Sequence, residues 1–284
     1  VKFVTNIILR KLQMVENRRN YFYTSLVKAI LFPALSFYLV AVRGMGVIGI
    51  ALADFASTLV IFAFLARFVA EEWRMPLSKG ALKEALHFSL PLLLHSISAW
   101  GLTLLDRVML ERMTGLTEVG LYDVGARMTS AVLYVASSAN QAYSPFFFKN
   151  LDAHPEGLRK AEIGLGGGFV MVGVFWALML PFVFKYAVDS SYSGSMGVSL
   201  VLVLDNVLNG FYFLSVNYLM YLRRTKVVAI STGSSVLLNF MLNLWWIPAY
   251  RSLGAAWASV MSRGAAFLFA AYFARRAMAS RKVA

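Results

Sequence analysis

Apolar residues along this chain run in long blocks. Eight of them, at about 24–43, 46–66, 88–105, 119–141, 163–184, 197–222, 227–249 and 253–274, approach or exceed the roughly 20 helical residues that cross a hydrocarbon core about 30 Å thick. The blocks are continuous, which selects helices over a β-barrel, whose strands alternate in segments of about ten residues. Three blocks (88–105, 163–184 and 227–249) contain no charge, whereas Asp123 and Arg127 interrupt 119–141. The pattern predicts an all-α, polytopic membrane protein with about eight transmembrane helices.

Composition agrees. Hydrophobic residues are 59% of the 284, against about 45–50% in an average soluble domain, and charged residues only 14%. The net charge of +13 would suggest nucleic acid in a soluble protein. Here the cations cluster between apolar blocks, as in Arg18-Arg19, Arg223-Arg224 and Arg275-Arg276, so no nucleic-acid partner is expected. Nineteen Lys and Arg fall in one set of connections and five in the alternate set. By the positive-inside rule this places both termini, including the C-terminus, in the cytoplasm.

The polar stretch 67–87 is then a cytoplasmic linker, broken by Pro76 and Gly80, whose second part fits an amphipathic surface helix. A second charged loop covers 149–162, and outer connections are short. The chain opens on Val1 without a signal-peptide apolar region, which reads as a start inside a longer protein.

Little points to catalysis. There is no cysteine, the histidines are His87, His95 and His154, and no HExxH, Walker or GxSxG pattern occurs. No metal, cofactor or enzymatic activity is expected. Gly166-Gly167-Gly168 lies inside an apolar block, where close helix packing accounts for it.

The informative residues are charges at membrane depth, which cost about 2.5–3.5 kcal/mol at a helix centre and face cavities or partners. Asp123 and Arg127 have the spacing of an i,i+4 ion pair, and they also suit a cavity wall. Lys28 and Arg263 are read near span ends, where snorkelling competes with a binding role. Asp54 and Asp205 lie deeper, without a neutralising sequence neighbour; they are candidates for ion or proton coupling, or for interhelical pairs. Asn239 and Asn243 share a helix face, as do Asn206 and Asn209, either as interhelical amides or as sugar contacts. His95, alone in its span, reads as a packed, hydrogen-bonded side chain.

Two segments carry a family resemblance. Residues 88–149 include Leu90-Pro91, Asp106-Arg107, Val119-Gly120-Leu121-Tyr122 and Gln141-Ala142-Tyr143-Ser144-Pro145-Phe146. Residues 238–256 form an Asn-rich span closing on Ile247-Pro248, a short loop and Gly254-Ala255-Ala256, and Gly46-Val47-Ile48-Gly49 is a weaker third match. Together they resemble the bacterial polysaccharide-export flippases of the multidrug/oligosaccharidyl-lipid/polysaccharide exporter superfamily. The resemblance implies two six-helix lobes around a central cavity. Residues 1–66 would be the end of the N-terminal lobe, 67–87 the linker, and 88–284 the C-terminal lobe.

The resemblance also implies the cargo: an oligosaccharide on polyprenyl pyrophosphate, flipped by alternating access in the inner membrane for O-antigen, lipopolysaccharide or another surface polysaccharide. The bilayer and a polysaccharide polymerase would be its partners. Arg127, with its phosphate-matching fork, is the first candidate for the pyrophosphate, followed by Lys28 and Arg263. A drug/cation antiporter of the same superfamily is the nearest alternative, and a membrane polysaccharide polymerase or ligase a more distant one.

Overall fold

The computed structural model describes residues 5, 6, 9, 18–66, 78–153 and 155–283. Residues 67–77 of the expected linker and His154 lie outside them. The described residues are almost wholly helical and divide between two compact units, Val1–Lys79 and Gly80–Ala284.

The first unit holds α1 (Arg18–Phe37) and α2 (Gly46–Ala66). α1 contains Pro33 and continues into a π-helical turn, Tyr38–Val42, where the Arg43 Nε donates to the Tyr38 hydroxyl at 3.1 Å. Along α2, Gly49, Ala53, Ser57, Ile61 and Leu65 recur every fourth residue and are buried. This mostly small-residue stripe lets two helix backbones approach closely, which is how helices associate where lipid removes the hydrophobic incentive. A Cβ on Gly49 would lie 3.2 Å from Leu39.

The second unit contains α3 (Lys79–Thr114), α4 (Leu116–Asn150), α5 (Pro155–Ala187), α6 (Ser195–Tyr221) and a final helical run, Thr225–Val283. That run is broken at Arg251, whose φ of 52° and ψ of −131° are not helical, into α7 (225–250) and α8 (252–283). Five helical segments among the described residues are long and apolar enough to cross a membrane; the last covers Thr225–Ser280 and, bent at Arg251, supplies two crossings. The remaining expected spans, 88–105 and 119–141, lie in α3 and α4; Asp123 and Arg127 dilute the apolar pattern of the second. The chain is a multi-pass membrane protein.

The expected polar connections are shorter than the sequence suggested, because helices run past the apolar blocks. Residues 79–87, expected as a separate surface helix, are the first turns of α3, and residues 106–114 are its last. Only Gly115, at φ 95°, separates α3 from α4. At 36 residues and about 1.5 Å per residue, α3 is roughly 54 Å long, well beyond a hydrocarbon core.

α6 is the centre of this unit and packs against α4, α5 and the α7–α8 run. One core cluster joins Val132 and Phe147 of α4, Leu158 and Phe169 of α5, and Val207 and Leu214 of α6. A second joins Leu110, Tyr122, Val198, Ile247 and Ala255, and a third joins Leu219, Val228, Ala266 and Ala270. α3 is tied in through polar side chains as well. His95 Nδ1 lies 2.5 Å from Thr232 Oγ1, with its ring beside Tyr212, and Glu84 pairs with Arg223. His95 is thus the packed, hydrogen-bonded histidine the sequence suggested.

The α7–α8 corner is where Ile247-Pro248 and Gly254-Ala255-Ala256 meet. Glu118, at the start of α4, accepts from the Ser252 hydroxyl at 2.6 Å and the Ser252 amide at 3.2 Å, with Arg251 3.4 Å away. A carboxylate thus caps the positive end of α8. Burial alone would raise the Glu118 carboxyl; the Ser252 hydrogen bonds and the Arg251 charge outweigh burial and hold it below its ordinary value.

Gly254 is required by the same corner, since an added Cβ would stand 2.3 Å from the Trp246 carbonyl oxygen and 2.6 Å from its carbon. Gly254→Ala should force the two helix backbones apart and cost about 3 kcal/mol, the upper end of the usual overpacking range. The check is thermal unfolding of the purified variant in detergent. An unchanged melting temperature would show that the corner opens without penalty.

Candidate functional site

The second unit encloses a polar cavity of about 420 Å³ bounded by α3, α4, α6 and α8. α3 contributes Asp106 and Arg107 from its later turns. α4 contributes Tyr122, Arg127, Ser130 and Tyr134, α6 contributes Asp205, Asn206 and Asn209, and α8 contributes Ser259 and Arg263. On α4 the residues Asp123, Arg127, Ser130 and Tyr134 recur at helical spacing, so one face of a largely apolar helix is polar.

Asp106 is the most constrained group. It is 2% exposed and accepts from the Tyr122 hydroxyl at 2.6 Å, the Ser259 hydroxyl at 2.7 Å and the Asn243 amide at 2.7 Å. One carboxylate on α3 thereby joins α4, α7 and α8, and charge-assisted bonds of this kind are about twice as strong as neutral ones. Asn243 also donates to Asn239 Oδ1 at 3.0 Å. Both amides are 0% exposed and stand behind Asp106, outside the cavity wall. Asn243 holds Asp106 directly and Asn239 is linked to it only through Asn243; neither amide lines the cavity.

The cations divide into paired and unpaired. Arg263 Nε lies 3.2 Å from Asp205 Oδ1, with both side chains largely buried. Arg263 is therefore not a snorkelling residue at a span end: it points inward and meets the interhelical acid. Arg107 Nε lies 2.5 Å from Asp123 Oδ1, with its guanidinium 5.9 Å from the centre of the Tyr122 ring. Asp123 is thus joined to α3, and no ion pair links it to Arg127 among the described residues. Arg127 is exposed on the cavity wall, and no acidic partner or side-chain hydrogen bond is found for it among the described residues.

Around this wall the backbone is also tied down. Asn206 donates to the Thr129 carbonyl at 3.1 Å, and Trp176 Nε1 donates to the Met128 carbonyl at 2.7 Å, fixing the turn of α4 that carries Arg127. Gly125, one turn earlier, allows α6 to approach, since a Cβ there would meet Val198 at 2.9 Å.

Of the residues singled out in the sequence, the cavity gathers Arg127, Arg263, Asp205, Asn206 and Asn209, with Asp123 paired to Arg107. Lys28 and Asp54 belong to the first unit, and the cavity is built from second-unit residues alone. The Asp54 carbonyl accepts from the Ser57 hydroxyl at 3.0 Å. The site's central carboxylate, Asp106, stands out in the sequence as a charge beside Arg107 near the outer end of a span and as part of the Asp106-Arg107 motif. Tyr122 and Ser259 carried no signal beyond membership in other short motifs and spans.

Comparison with known proteins places these observations. Residues 3–151, just over half of the chain, match the profile of a family described as "Polysaccharide biosynthesis protein". A curated relative, "Lsg locus putative protein 1" of Haemophilus influenzae, is 24% identical over 187 residues, covering 63% of this chain. The chain spans about half the length of that relative, 46%. Among solved structures, MATE in the straight conformation gives a TM-score of 0.80 at 16% identity, covering 98% of this chain and 67% of that one. A MOP superfamily transporter from Pyrococcus furiosus, for which reverse polarity of the binding pocket suggests a different function, gives 0.74 at 17%, covering 92% and 63%. An outward-facing multidrug resistance MATE family transporter of the MOP superfamily gives 0.72 at 16%, covering 91% and 62%. These likenesses establish a MATE-like helical fold.

Proposed function

Because the chain belongs to the polysaccharide biosynthesis protein family, we propose that it forms part of a non-enzymatic transporter that flips polyprenyl-pyrophosphate-linked oligosaccharide across the bacterial inner membrane. The observation that carries this reading is Arg127: an exposed guanidinium on the wall of a polar cavity, for which no ion pair is found among the described residues. Arg presents a planar fork that matches phosphate oxygens, and in a cavity of low dielectric one such contact outweighs its counterpart in water. Arg263 lines the same cavity, so an anionic cargo drawn to Arg127 would compete with Asp205 for it. Release of Asp205 from that pair would leave a carboxylate able to take a proton or cation, which is a route to coupling.

In this reading the second unit is a six-helix lobe and the first unit the end of another, with alternating access produced by motion of one lobe against the other. The lipid tail stays in the bilayer while pyrophosphate and sugars cross through the cavity. The surface polysaccharide assembled downstream, O-antigen being one candidate, would be extended by a polymerase partner. The MATE-like fold supports the rival reading of a drug/cation antiporter, and an unpaired cation in the cavity disfavours cationic cargo.

Arg127→Ala, expressed at native level in a strain lacking the gene, should lower surface glycan about tenfold to a hundredfold, the worth of one charge-assisted contact. Lipid-linked glycan should then build up on the cytoplasmic leaflet while the protein stays in the membrane, and Arg127→Lys should restore part of the export. Normal surface glycan in the Ala variant would overturn the role of Arg127. Normal glycan in the deletion strain, together with new drug sensitivity, would move the assignment to the antiporter.

A further inference from the structure

A second and larger cavity, about 930 Å³, lies on another face of the same unit, between α5, α6 and α8. It sits at the upper end of the about 300–1,000 Å³ typical of ligand sites. Its wall is polar at one end only. Arg159 and Glu162, at the start of α5, and Arg275, towards the end of α8, stand at that end; from there the lining runs through Gly166 and Gly167 to Val170, Phe211 and Phe267. Neither Arg159 nor Arg275 has an ion pair or side-chain hydrogen bond among the described residues.

The polar end is a net cation. Glu162 accepts from the Tyr143 hydroxyl at 3.3 Å, and even ionised it leaves the two arginines in excess. The apolar end is exposed: Val170 beside it is 46% exposed, and Val174, Phe175 and Leu178 continue the exposed apolar face along α5.

The groove owes its depth to missing side chains. At Gly166 a Cβ would press on the Phe211 ring at 2.9 Å, whereas at Gly167 it would meet nothing within 4 Å and project into the open groove.

We propose that this groove binds one anionic phospholipid of the bilayer, its acyl chain against α5, α6 and α8 and its phosphate between Arg159 and Arg275. The two cations and the one-ended polarity match that ligand: charge at the headgroup level, hydrocarbon below it. The Lys and Arg distribution assigns this end to the cytoplasmic side, where basic pockets between transmembrane helices take anionic headgroups. The site is separate from the polar cavity around Arg127, and it does not depend on what that cavity transports.

Native mass spectrometry of the full chain in detergent tests this, with phosphatidylglycerol and phosphatidylcholine of identical acyl chains added in turn. One phosphatidylglycerol should be retained about tenfold more tightly than phosphatidylcholine, the scale of one or two charge-assisted contacts. The Arg159→Ala/Arg275→Ala variant should lose that preference. Gly167→Leu should weaken retention of both lipids about tenfold without lowering the melting temperature in lipid-free detergent. Equal retention of the two lipids by the parent chain would overturn the headgroup contact. Undiminished retention by Gly167→Leu would overturn the groove as the seat. No glycan enters the measurement, so failure here leaves the export reading standing, and failure of export leaves this one.

Discussion

Asp106→Ala should be the most damaging single substitution in the second unit, lowering its stability by about 3–5 kcal/mol. The reason is the number of donors one carboxylate satisfies. Tyr122, Asn243 and Ser259 all direct buried protons at it, from three different helices, at 2.6–2.7 Å. Removing the acceptor leaves those donors unpaired where water does not reach, and each unpaired buried group costs about 1–3 kcal/mol before relaxation. At about 2–4 °C per kcal/mol for a unit of this size, the melting temperature in detergent should fall by about 10 °C or more. Asp106→Asn keeps one acceptor oxygen and should fall between the parent and the Ala variant. Equal melting temperatures for Asp106→Ala and the parent would show that the three donors find other partners.

The second large effect is expected from the Asp205–Arg263 pair. Both side chains are largely buried, and their contact at 3.2 Å joins α6 to α8. Asp205→Leu leaves a guanidinium without its counter-ion, and Arg263→Leu leaves a carboxylate likewise; each should cost about 3–5 kcal/mol. The double variant, Asp205→Leu with Arg263→Leu, should recover most of that loss, because two buried charges are replaced by apolar side chains and none is left uncompensated. The measurement is a double-mutant cycle by thermal unfolding: single losses of about 3–5 kcal/mol each, with little net loss in the double variant, mean a coupling of about 5 kcal/mol or more, above the about 0.5–3 kcal/mol usual for residues in contact. Additive single losses would mean that the pair is not a unit. If the double variant is stable and still fails in export, the charges themselves act on the cargo.

Both predictions concern residues that are far apart in the chain. Asp106 and Asn243 are 137 residues apart, and Asp205 and Arg263 are 58 apart. The sequence marked Asp205 as deep and lacking a local partner, and it marked Arg263 as a charge in a span. It could not join them, since the meeting depends on how α6 and α8 are rotated about their axes and where they cross. Asp123 shows the same limit from the other direction. Local spacing offered Arg127 as its partner, four residues on, but the structure supplies Arg107, sixteen residues back on α3. That choice leaves Arg127 without an ion pair among the described residues.

Asn239 and Asn243 make a related point. Four-residue spacing on an apolar helix correctly put the two amides on one face, and they do hydrogen-bond to one another. Whether that face meets a cavity or a neighbouring helix is not written in the spacing. It faces Asp106, which Asn243 contacts directly and Asn239 only through Asn243, and neither amide lines the cavity.

What the sequence determined by itself is the class of molecule and the places where something must be explained. Apolar blocks of bilayer length, interrupted by rare charges, dictate membrane helices because the backbone must satisfy its own hydrogen bonds in lipid. The same economy of charge makes each buried Asp and Arg conspicuous. Tertiary structure alone decided which of those charges neutralise each other, which amide supports Asp106, and which guanidinium on the cavity wall has no ion pair among the described residues. The physical reason is that apolar periodicity is a local property of one helix, whereas an ion pair in a helical bundle is a property of two helices and the angle between them. That angle is set by close contacts, such as Gly125 against Val198 and Gly254 against the Trp246 carbonyl, which no pattern of polar and apolar residues displays.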